Sequence, residues 1–130
     1  MPFNLEESYI VAAEQALGAR LPESYRQAMR RANGGEVEAA GDDWQLHPIA
    51  DTSDARRVSR TANHILRETA AFRSWQGFPS TAVAIASNGA GDALVLVQRG
   101  GAYEPVIYAW SHETRSLSKV ANDFSELRTA

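Results

Sequence analysis

Cysteine is absent from the 130 residues, and lysine occurs once, at Lys119. Without thiols there is no cysteine nucleophile, no thiolate zinc site and no disulfide framework, and a reducing compartment fits. No apolar run approaches the ~20 residues that a membrane helix needs. The opening stretch MPFNLEESYI carries acids where a secretory leader would carry a basic region, so a cytoplasmic protein is expected. The formal net charge is -3, with twelve arginines, whereas a general nucleic-acid binder shows a basic excess, so no direct nucleic-acid contact is expected. A chain of this length buries a sufficient core as one domain spanning residues 1–130.

What is present is segregated. From Gly34 to Asp54 stand six acids (Glu36, Glu38, Asp42, Asp43, Asp51, Asp54) and no Lys or Arg, whereas Ala55 to Arg73 holds five arginines against Glu68 alone. The periodicity predicts a first helix capped by Asn4, with Ile10, Ala13 and Leu17 on one face and Gly18 at its end. A second helix begins at Pro22, carries Tyr25, Ala28, Met29 and Ala32, and stops at Asn33-Gly34-Gly35. Val37–Ala39 and the alternation Trp44, Leu46, Pro48 predict two short strands. A long third helix is predicted from about Asp54, capped by Thr52 or Ser53 and carrying Val58, Ala62, Ile65, Thr69 and Phe72. Strands at AVAIA (82–86), DALVLVQ (92–98) and EPVIYAW (104–110) follow, then a short one at Leu117–Val120 and a terminal helix capped by Asn122. The order α-α-β-β-α-β-β-β-(β)-α describes an α+β fold: a single antiparallel sheet of about five or six strands with helices packed around it.

The chemistry-bearing candidates are few. SNGAGDAL (87–94) lacks the Lys and Ser/Thr of a phosphate loop and precedes a strand where a phosphate cradle precedes a helix, so Gly91 and Asp92 are expected to shape a hairpin. His47, His64 and His112 lack metal-ligand spacing, and neither a metal nor a cofactor is expected. An enzymatic reading would rest on His112, Glu113 and Asp92, with Ser87 brought near as nucleophile. The arginines of the third helix are expected to pair with carboxylates, either of the acidic segment before it or of a partner, rather than with nucleic acid. That acidic segment reads as a solvated face or as a docking surface for a basic partner. Trp44 and Trp75 are each expected in the core.

Five segments in order resemble the SUKH superfamily, which includes the fungal cell-wall assembly regulator and many bacterial immunity proteins of polymorphic toxin systems. They are IVAAEQALGARLPESYRQAMRRANGG from Ile10 (I-x-x-x-E, L-G-x-x-L-P-x-x-Y-R, N-G-G), LHPI from Leu46, VAIASNGAGDALVLV from Val83, EPVIYAWSHET from Glu104 and VANDFSELRTA from Val120. The resemblance implies one curved antiparallel sheet with surrounding helices, in which Gly34, Gly35, Gly91, Asp92 and Trp110 are structural. It also implies a non-enzymatic protein-binding role. That role is either an immunity protein that blocks a cognate toxin, often a nuclease, or a regulatory or scaffolding module for an endogenous protein. For a toxin with a basic groove, the expected surface is Glu36, Glu38, Asp42 and Asp43 with Trp44 beside them. Monomer and homodimer both remain open.

Overall fold

A computed structural model describes residues 2–129. Two helices, α1 (Glu7–Leu17) and α2 (Glu23–Arg31), form a hairpin turned at Gly18, whose φ of 76° is the left-handed conformation that glycine adopts without strain. The turn is closed by an ion pair rather than by packing alone. Arg26, 4% exposed, meets Glu14 at 3.1 Å and Glu7 at 3.2 Å, and Glu14 Oε2 also accepts the Leu21 backbone N–H at 2.7 Å. Burial alone would lower the Arg26 pKa; the carboxylates around it outweigh that and hold it raised. The I-x-x-x-E and Y-R motifs are therefore two halves of one clip.

Eight strands follow: β1 (Glu36–Ala39), β2 (Asp42–Leu46), β3 (Ala82–Ser87), β4 (Ala93–Arg99), β5 (Ala102–Tyr103), β6 (Ile107–Ser111), β7 (Ser116–Ala121) and β8 (Arg128–Thr129). They form one curled antiparallel sheet of order β7-β6-β4-β3-β2-β1-β8, with β5 paired to β4. Two more strands occur than the residue pattern indicates, because β5 and β8 are only two residues long and carry no readable alternation.

The central strands are buried on both faces. Val83, Ile85, Leu94 and Leu96 join the main core beneath α1 and α2, while Ala82, Ala84, Ala93, Val95 and Trp110 form a second cluster with Phe72. Phe78 lies against that second cluster, edge-on to Trp110 at 5.1 Å. Alternation through β3 and β4 sends one set to each layer, which explains their continuous apolar runs. Small alanines on the second face admit the large Trp110 and Phe72 rings.

The long third helix is in fact two, α3 (Ala55–Arg60) and α4 (Ile65–Phe72). The break is held by one side chain and one backbone bond: Thr61 Oγ1 donates to the Arg57 carbonyl at 2.8 Å and accepts the Asp51 N–H at 3.0 Å, and the Ile65 N–H leaves the helical ladder for the Pro48 carbonyl at 2.9 Å. His64 is consequently the N-cap of α4, accepting the Arg67 N–H, and Asp54 rather than Thr52 or Ser53 caps α3. Val58, predicted on an apolar face, is 48% exposed.

Both chain ends also depart from expectation. Asn4 does not cap α1, whose N-cap is Glu6; its carbonyl and Oδ1 instead receive Arg57. The closing helix is a single 3-10 turn, Phe124–Glu126, capped by Asp123 rather than Asn122, after which β8 pairs with β1.

Candidate functional site

The acidic residues expected to dock a partner sit on the β1–β2 hairpin, and its pleat divides them. Register pairs Glu36 with Gln45 and Glu38 with Asp43, all four exposed, and pairs Val37 with Trp44, both buried. Glu36, Glu38 and Asp43 thus share the outward face. Trp44 is core, 3% exposed, with its Nε1–H donated to the Ala39 carbonyl at 2.9 Å. It is not part of an exposed surface. Asp42 belongs to Trp44's side of the pleat, where its Oδ2 accepts Asn88 Nδ2 at 3.0 Å.

Carboxylates directly opposite each other across a strand pair repel. Glu38 and Asp43 are so placed, and among the described residues neither forms an ion pair; Arg128 faces Glu38 in register from β8 without closing on it. The hairpin tolerates this because its stability comes from the other face, through Val37 and Trp44.

The glycine-Asp turn proves structural in a wider sense than one hairpin. Asn88 Oδ1 accepts the N–H groups of Ala90 (2.9 Å) and Asp92 (3.3 Å), so asparagine, not aspartate, braces the β3–β4 turn. Asp92 reaches to the β6–β7 turn instead, where its Oδ1 accepts both the His112 backbone N–H (3.1 Å) and Nδ1–H (2.7 Å). Burial would raise the Asp92 pKa, but these bonds and Asn88 more than offset it, leaving the carboxyl below its ordinary range. Gly91 is required beside it: a Cβ there would stand 3.0 Å from His112 Nδ1. Trp75, predicted in the core, is 49% exposed and sits edge-on to His112 at 5.8 Å.

Ser87 does not reach His112. Its Oγ lies 3.1 Å from Nε2 of His47, whose Nδ1 is 3.0 Å from the Ala84 carbonyl. The hydroxyl and the histidine of the enzymatic reading stand in separate networks. His47 is 2% exposed, and burial pushes its pKa down against the opposing pulls of the Ala84 carbonyl and of Glu68 at 3.9 Å. Neutral His47 satisfies the edge of β3 just past the end of β2; Thr69 Oγ1 completes the task by accepting the Ala84 N–H at 2.8 Å.

The arginines of α3 do pair with the segment before them, through Arg57. It bonds Asp51 at 2.9 Å and Asp54 at 3.8 Å, and its Cζ lies 4.5 Å above the Phe3 ring. Asp51, 1% exposed, would be raised by burial, but Ser53 and Arg57 hold its pKa down. The N-G-G motif is equally structural: buried Asn33 exchanges two 2.8 Å hydrogen bonds with the backbone of Ile49, and Gly34 and Gly35 take φ of 127° and 96°. Trp110, 1% exposed, donates to the Gly77 carbonyl at 3.3 Å.

Among the described residues no group of three or more His, Asp or Glu side chains is placed to hold a metal, and no helix is long and apolar enough to cross a membrane. Sequence reasoning missed the Arg26–Glu14 clip and the His47–Ser87 pair; it grouped Asp92 with His112, but as a catalytic candidate rather than as a brace between turns. The Y-R motif marked the position of Arg26 without naming its partner. Comparison with curated proteins finds no match. The family model described as the SMI1 / KNR4 family (SUKH-1) matches residues 4–129, and the chain belongs to that family.

Proposed function

We propose that the protein is a non-enzymatic, cytoplasmic binding domain: an immunity protein that occludes a cognate toxin carrying a basic substrate groove, such as a nuclease. The observation that carries this reading is the outward face of the β1–β2 hairpin. There Glu36, Glu38 and Asp43 stand exposed, two of them directly opposed, with no ion pair among the described residues. An arrangement that works against the hairpin's own stability serves a partner that neutralises it. Asp42, the exposed first residue of β2, lies on the other side of the pleat, bonded to Asn88, and stands at the rim of this face rather than within it. Trp44 supports this face from within the core and makes no contact in the proposed interface.

The test is a growth assay in which the open reading frame beside this gene is induced with and without the protein, followed by co-purification. Rescue with co-purification supports the reading. A harmless neighbour that does not co-purify removes it in favour of a regulatory module for an endogenous partner. With a toxin in hand, Glu38→Lys combined with Asp43→Lys is expected to slow association at least tenfold at low salt and to flatten its salt dependence. Association that is unchanged in both respects would refute the surface assignment.

A further inference from the structure

Beside the acidic face lies a cleft of about 320 Å³ with the opposite polarity. It is lined by Phe3, the Gly34-Gly35 backbone, Gln45, Arg60 and Asn63, with Leu46 and Pro48 among its apolar walls. Among the described residues no carboxylate lines it. The nearest acids on the preceding loop are committed elsewhere: Asp51 binds Ser53 and Arg57, and Asp54 caps α3. Three side chains able to donate, those of Gln45, Arg60 and Asn63, are exposed there and have no hydrogen-bond partner among the described residues.

Arg60 is also partly oriented. Its Cζ lies 5.7 Å from the Phe3 ring centroid, in company with Arg57 at 4.5 Å and Arg56 at 5.6 Å. Phe3 is itself fixed by the 2.7 Å bond from the Asn33 N–H to its carbonyl. A guanidinium resting on an aromatic face keeps its in-plane N–H groups free, and those groups match a carboxylate two-for-two.

We propose that this cleft receives an Asp or Glu side chain from a protein partner, with Arg60 as the bidentate donor and Gln45 and Asn63 as flanking amide donors. The inference goes beyond the reading above, because it concerns a different set of residues and is tested with no toxin present. Gln45 lies opposite Glu36, so the cleft and the acidic face adjoin. A partner spanning both would present basic residues to the hairpin and one acid to the cleft.

The experiment is an NMR titration of the full chain with the blocked tripeptide acetyl-Gly-Glu-Gly-amide, with acetyl-Gly-Gln-Gly-amide and inorganic phosphate as parallel arms. Saturable millimolar binding is expected, seen as shifts at the backbone amides of Gly34 and Gly35 and the side-chain amides of Gln45 and Asn63. The glutamine peptide should bind at least fivefold more weakly. Arg60→Gln should abolish saturation while leaving the remaining spectrum in place, since Arg60 is exposed and holds no hydrogen bond among the described residues; Arg60→Lys should retain part of the binding. No saturable shift, equal binding of the glutamine peptide, binding unaffected by Arg60→Gln, or phosphate binding more tightly than the glutamate peptide would each overturn the proposal.

Discussion

Single residues in this fold act as connectors between segments far apart in sequence. Glu14 accepts from the Arg26 side chain and from the Leu21 backbone, so one carboxylate holds both arms of the helix hairpin. Tyr25, next to Arg26, is fully buried and meets Phe124 edge-on at 5.3 Å, tying the hairpin to the closing turn. Breaking a buried ion pair from one side strands the other charge. Glu14→Ala leaves buried Arg26 only the exposed carboxylates of Glu7 and Glu23 and removes the acceptor of the Leu21 N–H, so it is expected to lower unfolding stability by about 1.5–3 kcal/mol in urea denaturation. Glu23→Ala, which removes an exposed carboxylate 3.6 Å from the same arginine, should cost no more than about 1 kcal/mol. Equal losses would show that the pair does not close the hairpin. The L-P-x-x-Y-R run made the helix legible, but a charge partner twelve positions away has no sequence signature.

At the scale of elements, the region between β2 and β4 shows why periodicity misleads. Val58, Ala62, Ile65, Thr69 and Phe72 follow helical spacing across a break, because spacing reports which face a residue occupies and not whether the backbone ladder continues. The break has a purpose: it turns α4 so that Thr69 and Glu68 face the edge of β3. Pro48 follows just after β2 ends, leaving Ala84 with an N–H and a carbonyl that no strand takes up, and Thr69 and His47 receive them. Thr69→Val keeps the shape but leaves that buried N–H unpaired, at a cost of about 1–3 kcal/mol, whereas Thr69→Ser should cost less. Denaturation midpoints of the two variants decide it; a Val variant as stable as the Ser variant would contradict the account. The alternation Trp44, Leu46 against Gln45 already assigned Trp44 to the inner face, so its burial was readable from the pattern that located the strand.

At the scale of the whole molecule, charge and pH response are set together. Asp51 and Asp92 are held below their ordinary carboxyl range by hydrogen bonds that outweigh burial, and Asp123 by its bonds from Ser125. His47 is lowered by burial, and His64 by burial and Arg67. For each of these groups the unfolded chain binds protons more readily than the native protein, so stability rises with pH through its titration. The histidine contribution is complete above their ordinary pKa of 6.5 and is lost as pH falls below it; the aspartate contribution is lost below the ordinary 3.8. Thermal midpoints are expected to decline in two stages on acidification, and His47→Gln should flatten the first while sparing the second. Parallel curves for the variant and the parent would rule out His47 as a source of the first stage. The same charge layout leaves Glu36, Glu38 and Asp43 on one bare sheet face and Arg60 in the adjoining cleft.

The sequence by itself determined the α+β class, the helix hairpin, most strands and their antiparallel order, because burial periodicity and turn-forming glycines are local properties. It also marked the Glu36–Asp43 region as acidic. Tertiary structure alone decided which acids face outward together, that Asp92 braces a neighbouring turn, that Ser87 meets His47, and that Arg60 opens onto a cleft that no described carboxylate lines. Those outcomes depend on which side chains the register and the sheet's curl bring together across many residues, and spacing along a chain carries no record of that.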